Sequence, residues 1–321
     1  MSSTTTHIEA HGLVKTYPPD TRALDGLSIA IAPGEVFGLL GPNGAGKSTA
    51  INILTTLARP DSGTATIAGH DVLRRPQRVR RAIGVVAQNS GADPLATGRD
   101  NLMLQGRLYG LGGTPLKQRV AELFERFGLT GAADRAVRTY SGGMRRRLDV
   151  ALGLVHRPSA LFLDEPTTGL DPEARAALWA EIARLSAEDG LTILLTTHYL
   201  EEADRLTDRL AIVDKGRVVV TGTADALKGE LKGDAVRIEL RDEPAAGLGD
   251  LAAEGLREVS LAGRLLSARA DDGAAAVPGV LAALDRAGAP AASVTVARPS
   301  LDDVYLRHVG HRFDETNGSL S

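Results

Sequence analysis

Residues 41–48 constrain what this chain can fold into more than any other segment. They read Gly-Pro-Asn-Gly-Ala-Gly-Lys-Ser, fit the pattern G-x-x-x-x-G-K-[ST], and follow the apolar run Val36–Leu40. In this pattern a strand ends in a glycine-rich loop whose backbone N–H groups surround an anion, and a helix begins at the end of the loop. The order of strand, loop and helix predicts a phosphate-binding loop rather than a simple tight turn.

The side chains of this loop have the chemistry that a triphosphate requires. The glycines let the backbone curl until successive N–H groups point inward, and the start of the helix adds partial positive charge. The Lys47 ammonium can reach the β- and γ-phosphates, and the Ser48 hydroxyl is a ligand for Mg²⁺. The nucleotide contacts predicted in this region are Gly41, Asn43, Gly44, Gly46, Lys47, Ser48 and Thr49.

A second segment supplies the carboxylates that a phosphate loop needs. The apolar run 161–163 ends in Asp164 and Glu165. An acid pair at a strand end is usually only a transition from strand to loop, but the segment 41–48 favours a functional interpretation. We expect Asp164 to hold the Mg²⁺ shell and Glu165 to polarise water as the general base in hydrolysis of the γ-phosphate.

Three further patterns stand in a fixed order around these sites. Ser141-Gly142-Gly143-Met144-Arg145 lies between them, and Gly169-Leu170-Asp171 and His198 follow. With these residues the chain resembles the ATP-binding subunits of ABC transporters over about residues 7–225. The resemblance implies an α/β fold, a P-loop NTPase ABC ATPase domain with a RecA-like core, an antiparallel β subdomain and a helical subdomain. It also implies ATP and Mg²⁺ as cofactors.

The same resemblance implies roles for four residues outside the loop. Tyr17 would stack on adenine, and Gln88 would sense the metal and the attacking water. Asp171 would couple two subunits, and His198 would contact the γ-phosphate. Without the resemblance, His198 would be interpreted as a polar helix cap and Tyr17 as an ordinary surface aromatic.

The segment Ser141, Gly142 and Gly143 is implied to bind a nucleotide held by a partner subunit. Its hydroxyl and the N–H groups of a helix start suit an anion. Tyr140 and Met144 stand where Leu and Gln are commoner in the family, which bears on the subtype more than on activity. Because the chain carries one set of motifs, we expect a head-to-tail homodimer that encloses two ATP molecules.

Three segments indicate the subtype, namely residues 88–102 (QNSGADPLATGRDNL), 145–149 (RRRLD) and 299–306 (PSLDDVYL). They resemble the daunorubicin-resistance type of drug-export ATPase. The resemblance implies export of a hydrophobic drug or antibiotic through a separate integral membrane permease, contacted by the region after Gln88. Export of a lipid or polysaccharide is an alternative, because nothing in an ATPase subunit specifies cargo. A soluble ABC protein of translation or DNA repair is a less favoured alternative.

The pattern of the chain changes near Lys228. Before it, short β-rich runs alternate with helical periodicity, the order of an α/β domain. We expect an ABC ATP-binding domain over residues 1–228, an accessory or regulatory α+β domain over 229–313 and a disordered tail over 314–321. The strands expected in the first domain are 8–14, 24–31, 36–40, 64–67, 83–86, 161–163, 192–195, 210–213 and 217–220.

Strand and helix patterns are also present in the second domain. Residues 234–240 and 263–270 alternate as strands, and residues 271–292 have the spacing of a packed helix or, alternatively, form an alanine-rich linker.

Near the end of this domain, Leu301, Val304 and Tyr305 form one apolar helix face. This face is expected to contribute to a subunit interface. Alternatively, it serves only the core of its own domain.

Composition excludes several other classes. The formal net charge of −3 shows no overall excess of the positive charge that binds nucleic acid, so we do not expect nucleic acid as a partner. The absence of cysteine excludes a disulfide framework and a thiolate zinc site. The apolar runs fall far short of the ~20 residues that a membrane helix needs, and residues 1–6 lack the features of a signal peptide. We expect a peripheral location at the cytoplasmic face of the cell membrane, reached through the membrane subunit.

Overall fold

The computed structural model describes residues 6–243 and 255–310 of the chain. These residues divide into two units between Ala224 and Asp225. The boundary expected after Lys228 lies slightly further along, inside the short helix Ala224–Gly229. The tail predicted at 314–321 lies outside the described residues.

The strands of the first unit contain every run that the sequence predicts for it. In chain order they are β1 (Ile8–Tyr17), β2 (Thr21–Ile31), β3 (Val36–Leu40), β4 (Ser62–Ile67), β5 (His70–Asp71), β6 (Ile83–Val86), β7 (Ala160–Asp164), β8 (Thr192–Thr197), β9 (Arg209–Asp214) and β10 (Arg217–Gly222). The short strand β5 is an addition, since two residues are too few to show a periodic pattern.

In chain order the helices of this unit are α1 (Lys47–Leu54), α2 (Pro76–Ala82), α3 (Gly98–Leu108), α4 (Gly113–Arg126), α5 (Gly142–Leu154), α6 (Pro172–Asp189) and α7 (Leu200–Leu206); α8 (Ala224–Gly229) spans the division. The helices α2, α3, α5 and α6 begin at a proline or at a residue whose side chain caps the helix. The side chains of Thr97, Ser141 and Asp171 accept N–H bonds at the starts of α3, α5 and α6. These caps stabilise helix ends whose N–H groups have no partner within the helix.

A six-stranded sheet in the order β10-β9-β3-β8-β7-β6 forms the centre of the first unit. β3 pairs in parallel with β8 and β9, and β7 pairs in parallel with β8 and β6. Because parallel strands end at the same edge, the loop after β3, the acids after β7 and the residues after β8 meet there. In register, Leu40 lies beside Thr197 and Asp164 beside Thr196.

The central strands β3, β8 and β7 of this sheet are buried and mostly apolar because both faces are covered. Leu161 and Leu163 of β7 join a core that includes Phe124 of α4 and Leu178 of α6. The intervening Phe162 joins the core on the opposite face, beside residues of α1 and of the antiparallel sheet β2-β1-β4-β5. Alternate side chains of one strand therefore stabilise two different layers.

The second unit is an antiparallel sheet with two helices. Its elements are β11 (Asp234–Leu240), β12 (Arg257–Ala262), β13 (Leu265–Ala270), α9 (Gly273–Arg286), β14 (Ala291–Ala297) and α10 (Leu301–Val309), with the strand order β12-β13-β11-β14. Val236, Ile238, Leu266, Val280 and Leu284 are buried in its core. The alanine-rich segment is thus a packed helix and not a linker.

Three details of the second unit differ from the sequence prediction, namely the end of α9 and the presence of β12 and β14. The helix expected to reach residue 292 ends at Arg286, because Gly288 turns the backbone with a φ of 70° and the residues from Ala291 pair with β11. The sequence predicts neither β12 nor β14, since all residues of β12 and most of β14 are exposed and neither strand alternates between buried and exposed positions.

The apolar face of α10 is covered by this chain itself. Leu301 is 2% exposed, and Val304 and Tyr305 are fully buried. Ser300 and Asp303 form a capping box at the start of the helix, and Asp303 accepts a bond from Arg237 of β11 at 2.8 Å. This burial favours the second interpretation of the face, a contribution to the folding core, over a subunit interface.

We therefore expect Leu301→Ala to destabilise the chain by about 2–5 kcal/mol, the range for emptying a buried leucine position. Calorimetry of the full chain should show a lower melting temperature, and hydrogen exchange should show faster exchange of the β11 amides. Leu261→Ala is the matched control, because Leu261 is 44% exposed. A Leu301→Ala chain that melts and exchanges like the wild type would restore the interface interpretation.

Candidate nucleotide-binding site

A cavity of about 380 Å³ opens beside the loop after β3. It brings together the phosphate loop, the end of β1, the start of β2, the second residue after β6 and the first residue after β7. Its lining consists of Tyr17, Thr21, Arg22, Ala23, Asn43, Gly44, Gly46, Lys47, Ser48, Thr49, Gln88 and Glu165. Most of the residues predicted to contact nucleotide therefore share one cavity.

The loop has the backbone shape that the sequence predicts. Gly44 and Gly46 have φ values of 81° and 104°, a region that residues with a Cβ rarely adopt. A Cβ on Gly46 would also lie 2.3 Å from the Ala23 carbonyl oxygen, whereas a Cβ on Gly44 would meet no atom within 4 Å. Gly46 is therefore required by close packing, and Gly44 by its backbone conformation.

Lys47 begins α1 and is buried, with 4% of its surface exposed. Its ammonium donates to the carbonyl oxygens of Gly41 at 2.8 Å and Pro42 at 3.1 Å. It lies 3.4 Å from Glu165 Oε1. Burial lowers the pKa of Lys47, and the Glu165 carboxylate opposes that shift. The ammonium is thus held at the mouth of the loop between backbone oxygens and an anion.

The oxygen donors expected to hold Mg²⁺ lie next to each other. Ser48 donates to Asp164 Oδ1 at 3.1 Å, and Thr196 donates to the same oxygen at 2.6 Å. A hydroxyl and a carboxylate beside a phosphate loop fit Mg²⁺, which prefers oxygen ligands and usually shares them with substrate phosphates. Across the described ranges, no group of three or more His, Asp or Glu side chains forms a metal site of its own. The donor set therefore suits a cation that arrives with a phosphate.

Glu165 occupies the most constrained position of the site. It is 9% exposed and has a φ of 45°, a left-handed conformation that is strained for a residue with a side chain. His198 Nδ1 lies 3.2 Å from Oε2, and Gln88 Nε2 donates to the same oxygen at 3.3 Å. The contact with His198, followed by Lys47, lowers the pKa of Glu165 to about 2. The carboxylate is therefore ionised across the whole neutral range.

Seven of the predicted site residues are not part of this lining. Three of them, Gly41, Asp164 and His198, contact the lining residues Lys47, Ser48 and Glu165 in that order. The other four lie elsewhere. Ser141, Gly142 and Asp171 are exposed at the starts of α5 and α6, and Gly143 is half-buried. A Cβ on Gly143 would lie 2.8 Å from the Cβ of Ala174, so the two helix starts pack closely together. These residues form a second polar surface that this chain does not bring to its own phosphate loop.

Several polar residues that touch the site are not among those predicted from the sequence. Thr21 and Arg22 line the cavity, and Thr168 donates to Glu165 Oε2 at 3.4 Å. Two more, Thr196 and Arg146, bond to both Asp164 and Glu165. Thr196 donates to Asp164 and accepts the Glu165 N–H at 3.0 Å. Arg146 is 7% exposed and donates to the carbonyl oxygens of Asp164 and Glu165. The available signals were the hydroxyls that end the apolar run 192–195 and the arginine run 145–147.

Comparison with known proteins identifies the family. The family model described as ABC transporter matches residues 24–168. The chain is 48% identical over 307 residues to the daunorubicin resistance ATP-binding protein DrrA3 of Streptomyces coeruleorubidus, covering 95% of this chain and 96% of the relative. It is 46% identical to the daunorubicin/doxorubicin resistance ATP-binding protein DrrA of Streptomyces peucetius, covering 96% of this chain and 94% of the relative.

A solved structure supports the same assignment. A dimeric ATP-binding cassette in a post-hydrolysis state, bound to ADP and Pi, matches with a TM-score of 0.62 and 26% identity over 67% of this chain and 98% of its own. The expected P-loop NTPase fold and the resemblance stated from the motifs are both confirmed. The chain belongs to the family of ABC transporter ATPases, among the ATP-binding proteins of the daunorubicin- and doxorubicin-resistance type.

Proposed function

We propose that this chain binds ATP with Mg²⁺, hydrolyses it between two copies of itself, and powers export of a hydrophobic drug through a separate membrane subunit. The observation that carries the proposal is the meeting of Lys47, Glu165 and His198 at the edge where β3, β7 and β8 end. These three side chains supply a phosphate ligand, a base and a polar contact for the γ-phosphate. Their positions are far apart in the chain, so their convergence depends on the fold.

Substrate binding is assigned to the loop and its surroundings. The N–H groups of residues 41–48 and the Lys47 ammonium neutralise phosphate charge, with Asn43 and Thr49 at the rim of the cavity. Tyr17 lines the cavity and is 37% exposed, so an adenine can stack on its ring. Ser48, Asp164 and Gln88 would hold Mg²⁺, which when bound neutralises the charge that develops on the phosphate oxygens.

Glu165 is assigned the role of general base. Lys47 and His198 both lower its pKa by contact. A γ-phosphate competes with Glu165 for the Lys47 ammonium, so substrate weakens one of these contacts and makes the carboxylate a stronger base. Gln88, which donates to Glu165, is assigned the role of orienting the attacking water. His198 is assigned contact with the γ-phosphate.

The second polar surface is assigned to the partner's nucleotide. Ser141, Gly142 and Gly143 lie outside the cavity of their own chain, and they present a helix start to which phosphate binds well. Asp171, at the adjacent helix start, is assigned the coupling of the two subunits. ATP would then shift the equilibrium toward the closed dimer, because the closed dimer has a higher affinity for ATP than the open one.

A separate membrane subunit is the proposed partner, and the chain is proposed to lie peripherally at the cytoplasmic face of the membrane. Within residues 6–243 and 255–310, no helix has the length and apolar character to cross a bilayer. A groove of about 560 Å³ lies between α3 and α4, after Gln88. Leu104 on its wall is 56% exposed, and the neighbouring Leu95 is 77% exposed. We assign this groove to the membrane subunit and the second unit to an accessory or regulatory role.

We expect the assembled complex to transport hydrophobic drugs. The test is transport into inverted vesicles that contain the membrane subunit, with anthracyclines, other drugs and lipid-linked sugars as substrates. Drug-dependent uptake that needs ATP supports the proposal, and uptake of the lipid-linked sugars alone would assign a different cargo.

Leu95→Ser combined with Leu104→Ser should weaken co-purification of this chain with the membrane subunit. Leu57→Ser, at a position that is 73% exposed and lies outside the groove, should not weaken it.

Lys47→Ala is expected to weaken ATP binding by at least about tenfold, because a charge-assisted hydrogen bond contributes about 1.5–3 kcal/mol. Isothermal calorimetry measures the dissociation constant directly. Lys232→Ala removes an exposed lysine of the second unit and is the matched control. Wild-type affinity in the Lys47→Ala chain would overturn the assignment of the loop.

Glu165→Gln is expected to keep ATP binding and to lower turnover by about 100-fold or more, the usual contribution of a general base. Stalled hydrolysis should accumulate the closed dimer, which light scattering with MgATP detects. Glu188→Gln, at an exposed position of α6, is the control for loss of one negative charge. Normal hydrolysis by a monomeric Glu165→Gln chain contradicts both the base and the dimer.

A further inference from the structure

A single guanidinium on α5 joins the two segments that carry Gln88 and Glu165. Arg146 is 7% exposed and donates to four backbone carbonyl oxygens, those of Ala87 at 2.6 Å, Pro166 at 2.7 Å, Asp164 at 3.1 Å and Glu165 at 3.3 Å. Ala87 immediately precedes Gln88. Because the N–H donors of arginine lie in one rigid plane, the position of Arg146 sets how far apart these two segments lie.

The bond to the Glu165 carbonyl supports a strained peptide. Glu165 has a φ of 45°, and such a conformation persists only where the surrounding structure holds it. Its N–H donates to Thr196 Oγ1 at 3.0 Å, and its carbonyl accepts from Arg146. Arg146 is therefore one of two side chains that hold the backbone of the proposed base from opposite ends.

Asp149 lies about one turn further along the same face of α5. It bonds to the loop that follows β6, at residues that come after Gln88 in the chain. It is 5% exposed, and its Oδ1 accepts from Ser90 Oγ at 2.7 Å. The N–H of Gly91 also bonds to this carboxylate. The loop is thus fixed before Gln88 through Arg146 and after Gln88 through Asp149. Arg146 and Asp149 have opposite charges and lie near each other. Their attraction offsets part of the free-energy cost of burying both charges.

We propose that Arg146 and Asp149 are positioning residues that make the placement of Gln88 and Glu165 depend on the position of α5. The start of α5 carries Ser141 and Gly143, so this arrangement links the surface that faces the partner's nucleotide to the hydrolytic carboxylate of the same chain. The inference rests on the proposed function, in which that surface contacts the partner. A helix is a rigid element, so a shift at its start moves the two side chains and the carbonyl groups bonded to them.

Arg146→Lys tests the first half of the pair. A lysine ammonium has three donors and lacks the planar fork, so it cannot reproduce bonds to four carbonyl groups. We expect kcat to fall by at least about tenfold, since small errors in the placement of reacting groups are costly. The dissociation constant for ATP, measured with EDTA, and the melting temperature should stay near wild type. Arg147→Lys is the matched control, because Arg147 donates to the Phe127 carbonyl, away from the site.

Ser90→Ala and Asp149→Asn test the second half with smaller changes. Each is expected to lower kcat severalfold while ATP affinity is kept. The double variant should lose little more than the larger single effect, because both changes act on the same contact. Alanine removes the hydroxyl donor, and the asparagine amide is a weaker acceptor than the carboxylate. Ser159→Ala, which removes a hydroxyl bonded to the Ala82 carbonyl, is the control for loss of a serine.

The outcomes separate this proposal from the function on which it rests. If Glu165→Gln stops turnover while Arg146→Lys and the Ser90 and Asp149 variants keep the wild-type kcat, the positioning role is wrong and the proposed function stands. A parallel loss of kcat, ATP affinity and melting temperature in every variant also overturns it, since the residues would then serve stability alone. If the wild type hydrolyses no ATP, both proposals fail together.

Discussion

The buried contact between the Lys47 ammonium and the Glu165 carboxylate is the interaction around which the first unit is organised. The two atoms are 3.4 Å apart, and neither residue is more than 9% exposed. A buried charge without a partner is strongly destabilising, so each of these groups requires the other. The contact exists only because β3 and β7 both flank β8 in parallel, which brings their carboxyl ends to one edge. The apolar cores on both faces of the sheet thus maintain the charge pair at its edge.

One chain brings together only one of the two groups of residues that are proposed to contact each nucleotide. The cavity contains the groups that bind phosphate and the carboxylate that is proposed to activate water, whereas Ser141 and Asp171 lie on a separate exposed surface. Hydrolysis in the proposed dimer therefore depends on a contact between copies. The link through Arg146 and Asp149 gives a physical route by which that contact acts on Glu165 without any change in the phosphate loop.

Tyr140, one of the two departures from the usual family pattern, has a structural explanation. Its hydroxyl donates to the Ala132 carbonyl at 2.7 Å, and the residue is 5% exposed. Gly98 at the start of α3 makes room for this ring, since a Cβ there would lie 2.3 Å from the hydroxyl oxygen. The tyrosine thus joins the segment before α5 to the start of α3. The structure gives Tyr140 a packing role, and its bearing on the subtype stays a prediction.

The local patterns of the sequence determined the strands of the first unit other than β5, the phosphate loop, the acid pair after β7 and the helix starts after the loop and at Ser141, because each depends on residues close together in the chain. The tertiary structure alone decided that α10 buries its apolar face, that β12 and β14 complete the second sheet, and that Thr196 and Arg146 touch the site. The physical reason is most direct for Arg146, whose acceptors are backbone carbonyl groups. Every residue carries such a group, so sequence alone does not show which of them a side chain will meet. That choice depends on how elements distant in the chain pack against one another.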